Sequence, residues 1–116
     1  LEIHLANEWL QLINLSDKKA QKFRDLNENE KRLVLIARAM IKQPPLLILD
    51  EPTVGLNDEN AFMFAQLINA IALNSDTAIL YVSHRKEIGL APSYVFQLQT
   101  SANGSVGTAH FNELAR

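Results

Sequence analysis

Two short stretches carry residues whose types and placing could do chemistry. In LLILDE, Leu46 to Glu51, four uninterrupted apolar residues end in two adjacent carboxylates, Asp50 and Glu51. Charge beside a fully apolar strand is costly unless a cation or a proton awaits it. In TAILYVSH, Thr77 to His84, a second apolar run ends in Ser83 and His84. An aspartate suits Mg2+, which binds through oxygen and keeps waters. A neighbouring Glu51 could accept a proton from an attacking water, and His84 could donate to a phosphate oxygen. Together these are parts of a phosphoryl-transfer site, in which most of the work is positioning and charge stabilisation. Taken singly, each residue has a blander reading. Glu51 could be a loop acid in an Asp-Glu-Pro turn, and His84 a satisfied histidine at a strand end.

The elements that must position these groups follow from periodicity. Each apolar run reads as a strand of a parallel sheet, buried on both faces. Between them PTVGLNDEN is a loop, and Asn57 or Asp58 caps a helix whose stripe is Ala61, Phe64, Ala65, Ile68, Ile71 and Ala72, running to about Leu73. Strand, helix and strand make a right-handed crossover that brings Asp50, Glu51, Ser83 and His84 to one sheet edge, where open parallel sheets place ligands.

Upstream, Leu5, Ala6, Trp9, Leu10 and Ile13 recur at helical steps, so a helix opens the chain. Ser16 and Asp17 predict an N-cap and a second brief helix to about Phe23, packed by Leu15 and Phe23. Asn27 and Glu30 form a capping-box pattern, and Leu33, Ile36, Ala37, Met40 and Ile41 mark one face of a helix from about Glu28 to Lys42. Pro44 and Pro45 stop it and push Gln43 out of the helical region. The cations Lys31, Arg32, Arg38 and Lys42 read as its solvated face. Downstream, Arg85 to Ala91 could be a helical turn, Tyr94 to Leu98 a third strand, and Asn103-Gly104 a tight turn before a last strand from Ser105 to Phe111.

The chain has 116 residues, a length suited to one compact unit that buries roughly two thirds of its unfolded surface. With 11 basic and 13 acidic residues the net charge is 11 − 13 = −2, so no general field steers it to nucleic acid or to an anionic membrane. It has no cysteine, which excludes disulfides and thiolate metal sites and agrees with a cytoplasmic location. No apolar run reaches the roughly 20 residues of a membrane span. An opening at Leu1, directly inside a helical pattern, suggests an excised segment.

The order of parts resembles the ATP-binding cassette ATPases over most of the chain. LNENEKRLVLIARAM, Leu26 to Met40, is similar to the family's signature segment and following helix, LLILDEP to its Walker B motif, TVGLN to its D-loop and YVSH to its switch-histidine loop. The resemblance implies an α/β fold: a partial parallel sheet of a P-loop nucleotide triphosphatase with flanking helices and part of a helical subdomain. Residues 1–43 would be the helical-subdomain part with the signature helix, and 44–116 the catalytic-core part of one nucleotide-binding domain. It implies ATP and Mg2+ as cofactors, with Asp50 holding Mg2+ through water, Glu51 as catalytic base and His84 sensing the γ-phosphate. The intact protein would be an ATPase paired with a second cassette and serving a membrane permease.

Three departures qualify this. Asn27, Glu28 and Asn29 stand where the family has Ser-Gly-Gly ahead of Glu30, and an anionic Glu28 facing triphosphate is unfavourable. Asn57 replaces the aspartate ending the D-loop, keeping a hydrogen-bonding side chain without the charge. No GxxxxGK[ST] occurs, so the phosphate cradle is missing. The isolated chain is therefore expected neither to bind ATP tightly nor to hydrolyse it, and to self-associate through uncovered apolar surface. The alternative is an impaired regulatory or scaffolding cassette. Arg32 after Glu30, HRKEI and APSYVFQL are similar to the molybdenum-transport and photorepair-related ATPases, which carry paired cassettes.

Overall fold

The computed structural model describes residues 2–101 and 104–111. Helix α1 (Glu2–Leu12) packs against α2 (Glu28–Ile41), and α1 ends where Asn14 takes a left-handed φ of 63°. Two 3₁₀ turns, Ser16–Lys18 and Phe23–Asp25, stand where the sequence predicts one short helix. Ser16 does not cap. Leu15 holds the cap position without a side-chain bond and is buried beside Ile13 and Ala37, so its packing sets the path of the chain. Phe23 is exposed rather than packed inward, with the Lys31 ammonium 5.8 Å from its ring centroid.

Helix α2 begins with the expected capping box: Asn27 Oδ1 accepts from the Glu30 N–H at 2.8 Å, and Glu30 Oε1 accepts from the Asn27 N–H at 3.0 Å. It ends at the Lys42 cap, and Gln43 leaves the helical region at φ 49° before the two prolines. Asn57 caps α3 (Asp58–Asn74) by accepting from the Asn60 N–H. On α3 the buried residues are Phe64, Ala65, Ile68 and Ile71, while Ala72 of the expected stripe faces solvent.

Strands β1 (Leu46–Asp50) and β2 (Ala78–Val82) pair in parallel, in register from Leu46↔Ala78 to Asp50↔Val82. Their starts are pinned where the Thr77 hydroxyl donates to the Pro44 carbonyl at 2.6 Å and the Ala78 N–H to that of Pro45 at 3.0 Å. Leu47 and Leu49 point into a core with Ile36 and Met40 of α2 and Phe64, Ile68 and Ile71 of α3. The expectation of strands buried on both faces fails for the other side. Leu46, Ile48, Leu80 and Val82 are 50%, 59%, 52% and 42% exposed, because the helices cover only one face of this pair. Strands β3 (Tyr94–Ser101) and β4 (Gly104–Phe111) form a separate antiparallel ribbon, longer than the predicted strands; Asn103 of the expected turn lies outside the described residues. Arg85 to Ala91 forms turns, not helix.

The radius of gyration is 16.0 Å, against about 13 Å for a compact domain of this length. The chain is thus elongated, not the compact unit its length suggests, which agrees with one-sided covering of the sheet. Phe64 is 1% exposed at the centre of the core. Phe64→Ala is expected to cost about 3–5 kcal/mol in urea unfolding; a loss below about 1 kcal/mol would contradict this core.

Candidate active site

Pairing through Asp50↔Val82 leaves the next residues of both strands side by side at one edge. The Glu51 N–H donates to the Val82 carbonyl at 2.8 Å, extending the ladder by one bond. Glu51 then takes φ 49°, a left-handed conformation costing a side-chain-bearing residue about 1–2 kcal/mol. Its carboxylate oxygen Oε1 accepts two hydrogen bonds from one residue, the His84 backbone N–H at 2.8 Å and His84 Nδ1 at 2.7 Å. With Glu51 ionised, the second bond requires Nδ1 to carry the proton. The other oxygen, Oε2, is buried and has no partner among the described residues. Glu51 is held below the usual carboxylate range first by the His84 ring, then by the His84 N–H, with Arg85 adding to the effect and burial opposing it.

Asp50 ends β1 on the open, exposed face, beside Glu51 in a cleft of about 370 Å³ that Arg32, Ile48 and Pro52 also line. Among the described residues no cluster of three or more His, Cys, Asp or Glu could hold a metal. One carboxylate fits Mg2+ only where phosphates and water complete the shell, as that ion commonly accepts. Arg32, expected on a solvated face, instead turns one guanidinium nitrogen, Nη1, into a buried position without a partner among the described residues.

The signature-like residues make their own contacts at the α2 start. The Asn27 and Glu30 N–H groups at the α2 start are spent on the capping box, and Glu30 also meets the Lys18 ammonium at 3.5 Å. Glu28 projects outward with its side chain 73% exposed, 3.6 Å from Lys31, while Asn29 is half-buried. The cap bond holds Glu30 below the usual carboxylate range. Asn57 uses its side-chain oxygen on the α3 cap.

Sequence reasoning missed a second, buried cluster. The Thr53 hydroxyl donates to Glu87 Oε1 at 2.6 Å, Ser83 Oγ approaches the same oxygen at 3.3 Å, and Arg85 Nη2 donates to Thr53 Oγ1 at 3.1 Å. Thr53 is 1% and Glu87 9% exposed. Beside them burial pushes the Tyr81 phenol up to about 12, helped by the Glu87 charge. No spacing signal marks a pair 34 residues apart; the parallel pairing of their strands is what brings them together.

Solved structures share this architecture. The ADP conformation of MJ1267, an ATP-binding cassette of an ABC transporter, superposes with a TM-score of 0.72 over 82% of this chain and 37% of that one, at 21% identity. A nucleotide-free ATP-binding cassette from an ABC transporter gives 0.71 over 82% and 38%, at 18% identity. The α/β fold with its parallel strands is therefore that of the P-loop nucleotide triphosphatases. The family model described as ABC transporter matches residues 2–54. ModF, an ABC transporter ATP-binding protein of Escherichia coli (strain K12), is 36% identical over 84 residues, 72% of this chain and 17% of ModF. The zinc import ATP-binding protein ZnuC of Buchnera aphidicola subsp. Baizongia pistaciae is 39% identical over 82 residues, 71% of this chain and 34% of ZnuC. The chain belongs to the ATP-binding cassette ATPases and spans between a sixth and about a third of these two relatives. No helix among the described residues is long and apolar enough to cross a membrane.

Because the folded Glu51 pKa lies below its ordinary value of 4.5, Glu51 stabilises the fold above that value and loses this contribution as pH falls through the lower, folded one. Acid titration of stability is expected to fall more steeply for the wild type than for Glu51→Gln below about pH 4.5. Parallel curves would contradict the assignment.

Proposed function

We propose that this chain supplies the hydrolytic part of an ATP site in an ATP-binding cassette ATPase. The observation that carries the reading is the buried Oε2 of an ionised Glu51, unpartnered among the described residues, at the carboxyl edge of parallel strands beside Asp50. Mg-ATP, when bound, supplies the phosphoryl group and neutralises its charge. Asp50 would hold the metal through water. Glu51 Oε2 is the atom free to accept a proton from an attacking water, since Oε1 is committed to His84. With His84 Nδ1 turned to Glu51, Nε2 is left to face a phosphate oxygen, and donating from both nitrogens requires the imidazolium.

In this reading residues 1–43 belong to the helical subdomain and 44–116 to the catalytic core. The phosphate-holding loop is not in this sequence, so the chain alone does not hydrolyse ATP. The intact protein pairs two cassettes, works at the cytoplasmic face of a membrane and drives a permease, in keeping with the transporter proteins it is similar to. The open face of Leu46, Ile48, Leu80 and Val82 supports self-association of the isolated chain. A second reading, an impaired regulatory or scaffolding cassette, is favoured by one observation: the α2 start closes its own cap and presents Glu28 where phosphate would approach. A paired-cassette protein accommodates both readings, with hydrolysis at one site and a weakened signature at the other.

Glu51→Gln in the intact protein is expected to lower kcat by about 10²–10⁴-fold, and calorimetry of the 116-residue chain with Mg-ATP to register no micromolar binding. Equal hydrolysis rates would remove Glu51 from the mechanism; micromolar binding by the chain would overturn the division of the site.

A further inference from the structure

His84 is 76% exposed and sits on a loop beyond the strand ladder, yet it presents both its N–H and Nδ1 to one carboxylate oxygen. Two polar contacts at a solvent-facing loop do not by themselves hold such a geometry, because water competes for each donor. Something buried must set the loop. Two residues after Glu51, Thr53 is buried; three residues after His84, the Glu87 carboxylate is buried; and they meet at 2.6 Å, a short charge-assisted bond. Ser83, the residue before His84, has a single hydroxyl proton that is shared between the Arg85 carbonyl at 2.9 Å and the same Glu87 oxygen at 3.3 Å. Arg85, the residue after, reaches Thr53 at 3.1 Å and Glu87 at 3.8 Å. Both neighbours of His84 are thus tied to the Thr53–Glu87 bond.

The loop is fixed at its far end as well. The Gly89 carbonyl accepts from the Asn69 and Gln66 side-chain amides at 2.7 and 3.1 Å, and Ala91 donates to Asn69. Gly89 has φ 88°, and a Cβ there would lie 2.7 Å from the Phe62 ring, so glycine alone lets the chain pass this close to α3.

We infer that Thr53 and Glu87 are positioning residues whose buried hydrogen bond locks the loop after β1 to the loop after β2 and so holds His84 on Glu51 Oε1. The inference deepens the hydrolytic reading given above, since it names what sets the base and the switch histidine in register. The bond belongs to the chain whether or not it hydrolyses ATP.

Hydrogen exchange of the His84 backbone N–H, followed by NMR at neutral pH in the 116-residue chain, reads this directly, because Glu51 Oε1 holds that N–H. In Thr53→Val, which loses only the hydroxyl, exchange is expected to quicken by about tenfold or more, and in Thr53→Ser to stay at the wild-type rate. Glu87→Leu, which removes the acceptor oxygen that a glutamine would keep, is expected to behave like Thr53→Val. An unchanged rate in folded Thr53→Val or Glu87→Leu would overturn the inference, as would Thr53→Ser behaving like Thr53→Val. If neither variant folds, exchange of the wild type in rising urea decides: the His84 N–H and the Val54 N–H of the loop after β1 are expected to open together, and a His84 N–H that opens at lower urea overturns the lock. The exchange involves no nucleotide, so failure of the lock and failure of the ATPase reading are separately visible.

Discussion

One carboxylate oxygen joins the two halves of the site. Glu51 Oε1 takes both donors of His84, which requires the ends of β1 and β2 to lie side by side and requires Glu51 to leave the strand with a left-handed φ. In-register parallel pairing meets the first requirement, and the Val82 carbonyl, which receives the Glu51 N–H, steadies the second. The backbone strain at Glu51 lies where the chemistry is proposed, a common location for conformations that the surrounding fold must hold in place. The arrangement commits one oxygen to orientation and leaves the other, Oε2, without a partner among the described residues.

The core explains how this edge is held while the opposite face stays open. Leu47 and Leu49 alternate inward against α2 and α3, so the apolar packing that stabilises β1 is all on one side. Leu46, Ile48, Leu80 and Val82 form the other side and remain exposed. Strands with side chains apolar on both faces belong to sheets covered on both faces. The open side goes with the elongated shape, since among the described residues the helices cover the strand pair on one face only. The exposed face of β1 also ends in Asp50, so the uncovered side of the sheet and the proposed metal ligand share an orientation.

Much of this was legible from residue order. Long periodic segments identified α2 and α3 to within a residue or two, because capping by Asn27 and Asn57 and the prolines after Gln43 act locally. The apolar runs ending in Asp50-Glu51 and Ser83-His84 identified two strand ends that meet at one sheet edge, because parallel pairing converts adjacency in a βαβ unit into adjacency in space. The misses were all tertiary. Ser16 has cap chemistry, but burial of Leu15 decides the local path; Arg32 has a cation's composition, but lies partly under the loop after β1. Thr53 and Glu87 are unremarkable in sequence, and only the register of two strands makes them partners. The exposure of half of each strand was likewise invisible, since nothing in a stretch such as LLIL says which neighbours cover it.

The central claim is that Glu51 and His84 act as one coupled unit across the two loops. A double-mutant cycle on Glu51→Ala and His84→Ala, read by urea unfolding at neutral pH, tests it most directly. The double variant is predicted to lose less stability than the sum of the two single losses, because each single change already removes the side-chain contact. Strictly additive losses would show two independent residues and contradict it.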